Sequence, residues 1–171
     1  MNRAADLFGR LLHMLIVWAA LLLLAMVVVV TADIGLRNLT GRSIDWANEV
    51  SEYALYFMTL LAAPWLLRYG RHVRLDLVLV MVPPRVAWRI EIIADLLGFA
   101  VCMVLVWYGS AMTFESWRLG SITIKNLVFP EWWLLAPLPA AFVLLAIEFL
   151  FRLHRLLHGD RRPREEATSV G

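Results

Sequence analysis

The sequence is short of the residues on which most soluble chemistry depends. It has one cysteine, Cys102, so an intrachain disulfide and any Cys-x-x-Cys redox or zinc site are excluded. That removes the disulfide-generating membrane oxidoreductases. Charge is scarce too: 18% of the 171 residues are charged against 61% hydrophobic, a balance outside that of a soluble globular domain. Lysine is nearly missing, since Lys125 accompanies 15 arginines, a bias that fits a GC-rich coding sequence better than a ligand. The net charge of +2 matters less than where the charges stand. No internal repeat is visible.

What the sequence does have is four long apolar runs, which place it among all-α integral membrane proteins. The first covers 12–32, 21 residues without a formal charge. At helical rise that is about 31 Å, close to the roughly 30 Å of bilayer hydrocarbon. Arg3 and Arg10 precede it, as in a signal peptide, but the run exceeds a signal core of about 7–15 residues and no small-x-small site closes it. It reads as a retained anchor. The second span covers about 46–67, with Glu49 and Glu52 in its first turns, where acids complement the helix dipole, and Pro64 near its end. The third covers 86–113 and carries Glu91 and Asp95 near its start. The fourth covers 132–151, opened by Pro130 and Glu131, with a bend expected at Pro137 and Pro139.

Basic residues orient the spans. Twelve fall in the N-terminal segment, the loop between spans two and three, and the C-terminal segment; four, Arg37, Arg42, Arg118 and Lys125, fall in the other two loops. The positive-inside rule therefore puts both termini in the cytoplasm. Trp46, Trp117, Trp132 and Trp133 then lie at the outer interface. The stretch 72–82 is too short to span and is closed by Pro83–Pro84; it reads as a short helix lying in the inner interface. Residues 1–158 form one membrane domain in this reading, and 159–171 a polar, disordered cytoplasmic tail.

Two kinds of residue could carry chemistry. His13, His72, His154 and His158 invite a haem or a metal, but a bis-histidine haem needs two imidazoles at matched depth on facing helices. These four sit at span edges or among arginines and read as interfacial. Carboxylates inside spans are costly and are usually paired or functional. Glu49, Glu52, Asp95 and Glu148 all lie within a few turns of an interface, and Arg152 and Arg155 follow Glu148 at i+4 and i+7, the pattern of a structural ion pair. Asp95 is expected to pair with Arg68 or Arg71 across the short inner loop. Two stripes of small and polar residues recur at helical spacing: Glu49, Glu52, Tyr56, Thr59 and Ala63 on the second span, and Asp95, Gly98, Cys102 and Gly109 on the third. Such stripes serve close helix packing in lipid, either against one another or against a larger membrane partner.

Several residues resemble one family in order and spacing. Trp46 and Glu49 enter the second helix; Arg68, Gly70, His72, Val73, Asp76 and Pro83–Pro84 follow; then Phe129–Pro130–Glu131–Trp132–Trp133 leads to Pro137, Leu138 and Pro139. The pattern is similar to the small membrane subunit of TRAP (tripartite ATP-independent periplasmic) transporters, from the first helix to Phe151. Where that family often has a glycine near Leu61, this chain reads Leu-Leu-Ala-Ala.

The resemblance implies a non-catalytic role in the bacterial inner membrane, without a cofactor of its own. The partners it implies are a large multi-span subunit carrying the substrate and sodium sites, and a periplasmic substrate-binding protein that captures an organic acid. Trp46, Glu49, Arg68, His72 and Asp76 from this pattern, with Glu52 and Asp95 from the carboxylates and stripes above, are the candidates for partner contact or structural support. Two other readings stay open: a haem- or quinone-binding anchor of a respiratory complex, and a self-sufficient small exporter, against which the lack of mid-depth charge argues. The topology makes a direct demand. With Cys102 replaced by Ser, cysteines at Ser43 or Ser121 are labelled from the periplasmic side, and labelling of Arg71→Cys from that side would reverse the orientation.

Overall fold

The computed structural model describes residues 2–69 and 83–158. The expected interfacial helix at 72–82, with His72, Asp76 and Arg71, and the tail at 159–171 lie outside the described residues. Helix α1 is Asn2–Thr40, α2 Ala47–Tyr69 and α3 Pro84–Leu119. A two-stranded hairpin follows, β1 Ile122–Thr123 and β2 Phe129–Pro130, then a single turn α4 (Trp132–Leu135) and the helix α5 (Pro137–His158). Among the described residues four helical stretches are long and apolar enough to cross a membrane: Leu7–Thr40, Ala47–Tyr69, Val86–Leu119 and Trp132–Leu157.

Local chemistry sets the helix ends. Helix α1 continues past its apolar run and stops at Gly41, whose φ of 70° is open to glycine. At 39 residues it is about 58 Å long, so it must tilt or project from the bilayer. The Thr31 and Thr40 hydroxyls donate to the carbonyls of Val27 and Leu36, four residues back, which satisfies them without water. Pro83–Pro84 opens α3: Pro84 occupies the first turn, where the missing N–H is not needed, and the Pro83 carbonyl accepts from Val86 and Ala87. Gly120, φ 65°, closes α3, and Ser121 N–H returns to the Ser116 carbonyl at 3.1 Å in a Schellman arrangement. The fourth span breaks at Ala136, just before Pro137, which has no N–H to continue the helix. The hairpin pairs Ile122 with Pro130 and Thr123 with Phe129. Nothing in the sequence reading anticipated it.

The helices pack in the order α1, α2, α5, α3. Each sequence-adjacent pair, α1–α2 and α3–α5, forms a hairpin, and α2 against α5 joins the two. The third-span stripe therefore meets α5. A methyl group at Gly98 would overlap the Phe149 ring, and one at Gly109 would come within 2.8 Å of Leu138. Asp95 and Cys102 are buried on the same face. Small residues let the two backbones approach where lipid gives no hydrophobic drive for helices to associate. The second-span stripe is divided: Glu49 is buried, whereas Glu52 and Thr59 are exposed. Large apolar side chains on the outer faces, among them Leu24 and Val28 of α1 and Trp107 of α3, are exposed in the isolated chain, as lipid- or partner-facing residues must be.

Candidate functional site: charged clusters at the two ends of the bundle

The end of the bundle that carries Asn2 and His158 holds an ionic cluster. Glu148, on α5, is fully buried, with its two oxygens directed to different arginines. Arg155, two turns along the same helix, lies 2.9 Å from Oε1, and Arg68 of α2 lies 3.6 Å from Oε2. Arg152, one turn beyond Glu148, reaches sideways: Nη2 is 3.1 Å from the buried Asp95 carboxylate on α3. Its Nη1 donates to the Leu67 carbonyl at 3.1 Å. Leu67 belongs to α2, so Arg152 ties α5 to the α2 backbone as well as to the Asp95 carboxylate of α3. Nearby, Trp88 Nε1–H donates to the Leu156 carbonyl at 3.2 Å, joining α3 to the α5 backbone.

This arrangement gives Asp95 and Glu148 cations from different helices. Of the two cations expected for Asp95, Arg68 or Arg71, Arg68 reaches Glu148 and Arg71 lies outside the described residues, while Arg152 of α5 lies on the Asp95 carboxylate. The reason is topological: α5 lies between α2 and α3, so the cations and anions of those two helices meet it before they meet each other. Glu148 does have a partner on its own helix, but it is Arg155 at i+7, because Arg152 at i+4 is drawn to α3.

The opposite end is held by hydrogen bonds to loop backbone. Asp33, near the end of α1, accepts from Ser43 Oγ at 3.0 Å and from Ile44 N–H at 2.6 Å, which fixes the α1–α2 loop. Glu49 accepts from Tyr53 Oη at 2.9 Å and from Leu127 N–H at 3.1 Å. Asn126 donates to the Asp45 carbonyl at 2.8 Å, and Lys125 pairs with Glu52 at 2.9 Å on the surface. The Glu52 carboxylate raises the Lys125 amine above its ordinary value. Phe129 meets Tyr53 edge-on, with centroids 5.4 Å apart. Thus the loop between α3 and α4 is tied down over the start of α2.

The sequence candidates fall into three groups. Arg68 and Asp95 join the inter-helix cluster, in separate pairs. Glu49 and Glu52 bind the α3–α4 loop, and Trp46 stands half-exposed beside them at the entry to α2. His72 and Asp76 lie outside the described residues. Asp33, Leu127 and Arg152 were not singled out for these roles. For Asp33 there was a signal, a lone acid closing a long apolar run ten residues before Ser43. Of the histidines, His13 borders a depression between α1 and α2, and His154 is on α5. Among the described residues no group of three His, Cys, Asp or Glu side chains is placed to hold a metal ion.

Breaking a buried pair by removing one partner leaves the other charge uncompensated, at about 3–5 kcal/mol, whereas removing both is milder. Asp95→Asn and Arg152→Gln, alone and together, should therefore show coupling of about 1–3 kcal/mol in detergent thermal unfolding. The exposed Glu52–Lys125 pair should show none that is measurable. Additive effects of the Asp95 and Arg152 substitutions would contradict the pairing.

A search of curated proteins returns no match for this chain. A family model described as "Tripartite ATP-independent periplasmic transporters, DctQ component" matches residues 26–159, most of the chain. The match takes in α2, α3 and α5 and both clusters, and it agrees with four membrane-length helices. The chain belongs to the DctQ family, the small component of TRAP transporters, and is a multi-pass protein of the inner membrane.

Proposed function

We propose that this chain is a non-catalytic scaffold subunit of a sodium-coupled TRAP-type symporter for organic acids, with both termini in the cytoplasm. In this reading it binds and stabilises the large membrane subunit, which carries the substrate and ion sites, and works with a periplasmic substrate-binding protein. The observation that carries the proposal is where ionisable groups are lacking. Residues 14–32, 53–67, 96–114 and 132–147 contain no Asp, Glu, Lys, Arg or His. Secondary transporters hold substrate and coupling ions near the bilayer midplane, commonly on broken helices. Here the charged groups gather at the two ends, and the one broken span is interrupted at Ala136, near an end. Transport would need a partner to supply the site.

A stationary role also suits the way the carboxylates are used. Asp95 and Glu148 are committed to arginines, and Asp33 and Glu49 to loop amides. Each holds structure together. The exposed apolar faces of α1 and α3 offer area both to lipid and to a larger subunit.

The purified chain alone in liposomes should show no sodium-driven uptake of organic acids. Uptake should appear when it is reconstituted with the large subunit and the loaded binding protein. Robust uptake by this chain alone would contradict the scaffold role.

A further inference from the structure

Around the first turns of α1 the surface changes character from one flank to the other. On the α2 side is a depression of about 580 Å³ lined by Gly9, Arg10, His13, Met14, Arg68 and Tyr69. On the α5 side is a groove of about 600 Å³ between Leu7, Phe8, Leu11, Met14, Ile147 and Phe151, with Arg10 the one charged side chain on its rim among the described residues. Arg10 and Met14 border both, so the basic depression and the apolar groove meet over the crest of α1. Glu148, which Arg68 and Arg155 engage, is fully buried, so among the described residues the charged side chains that line the depression are the cations Arg10 and Arg68. The Arg68 guanidinium lies against Gly9, 3.4 Å from where a Cβ would stand, which keeps positive charge beside α1 at this level.

A cationic depression opening into an apolar groove, at the end of membrane-spanning helices, matches one amphiphile: a phospholipid with an anionic headgroup. Basic pockets between spans are known to select such headgroups, and each Arg near an anionic surface contributes a factor of roughly fivefold. From Leu7 to Met14 the groove follows about 10 Å of helix, room for the upper part of an acyl chain. We propose that this chain binds an anionic phospholipid here, its phosphate on Arg10 and one acyl chain in the groove between α1 and α5. The proposal is independent of the scaffold role, since it needs neither the large subunit nor transport.

Native mass spectrometry of the full-length chain, exchanged into micelles doped equally with phosphatidylglycerol and phosphatidylcholine, tests it. The unaltered chain should retain phosphatidylglycerol about fivefold over phosphatidylcholine. Arg10→Gln should bring that ratio close to one and Arg10→Lys should keep most of it, while Ile147→Trp, which fills the groove, should lower retention of both lipids. Trp107→Leu, on the exposed face of α3, should change nothing. Equal retention of the two lipids by the unaltered chain would mean bulk annular lipid only and would overturn the proposal. So would selectivity that survives Arg10→Gln, or release of bound phosphatidylglycerol by inorganic phosphate alone.

Discussion

Glu148 is the constraint on which the rest of the bundle depends. A carboxylate with no solvent exposure must be compensated or it destabilises whatever buries it. Compensation comes from Arg155 on its own helix and Arg68 on α2. One turn along, Arg152 carries the same logic to α3 through Asp95 and back to α2 through the Leu67 carbonyl. Helix α5 thereby acts as the hub of three helices. In lipid, apolar contact gives helices little reason to prefer one neighbour over another, so buried pairs of this kind and close glycine contacts such as Gly98 with Phe149 do the selecting.

The two ends of the bundle use different chemistry for related tasks. At the end carrying Asn2 and His158, charge pairs with charge between helices. At the loop end, Asp33 and Glu49 take backbone amides of Ile44 and Leu127, which orders connecting segments rather than spans. Between the ends, residues 14–32, 53–67, 96–114 and 132–147 carry no Asp, Glu, Lys, Arg or His. A unit fastened at both ends and without acids, bases or histidine at mid-depth is suited to standing still beside a moving partner, and the proposed scaffold role rests on that.

Much of the fold was legible in the sequence because the bilayer imposes a length and a polarity that four runs of residues met. Pro83–Pro84, Gly120 and Pro137 further marked where helices begin, end and break. That Arg152 of α5 meets Asp95 was not legible. Helical spacing places Asp95, Gly98, Cys102 and Gly109 on one face but cannot say which neighbour that face meets. Adjacency in the chain suggested α2, while the packing order put α5 there. The contact between Glu49 and Leu127 spans 78 residues and ends on a backbone amide, which no side-chain pattern can announce. The basic depression and apolar groove flanking α1 likewise combine residues from three helices, and Arg10 alone looked like one more positive-inside residue.

The central claim, that the Glu148 cluster sets how α2 and α3 stand against α5, is tested most directly by distances between spin labels. In a Cys102→Ser background, labels at Leu66 and Ile93 report the cluster end, and labels at Leu55 and Met112 the loop end; all four side chains are exposed. Glu148→Gln leaves Arg68 and Arg155 without their carboxylate. The account predicts that the 66–93 distance distribution then broadens or lengthens while the 55–112 distribution keeps its width. A 66–93 distribution unchanged by Glu148→Gln would contradict it.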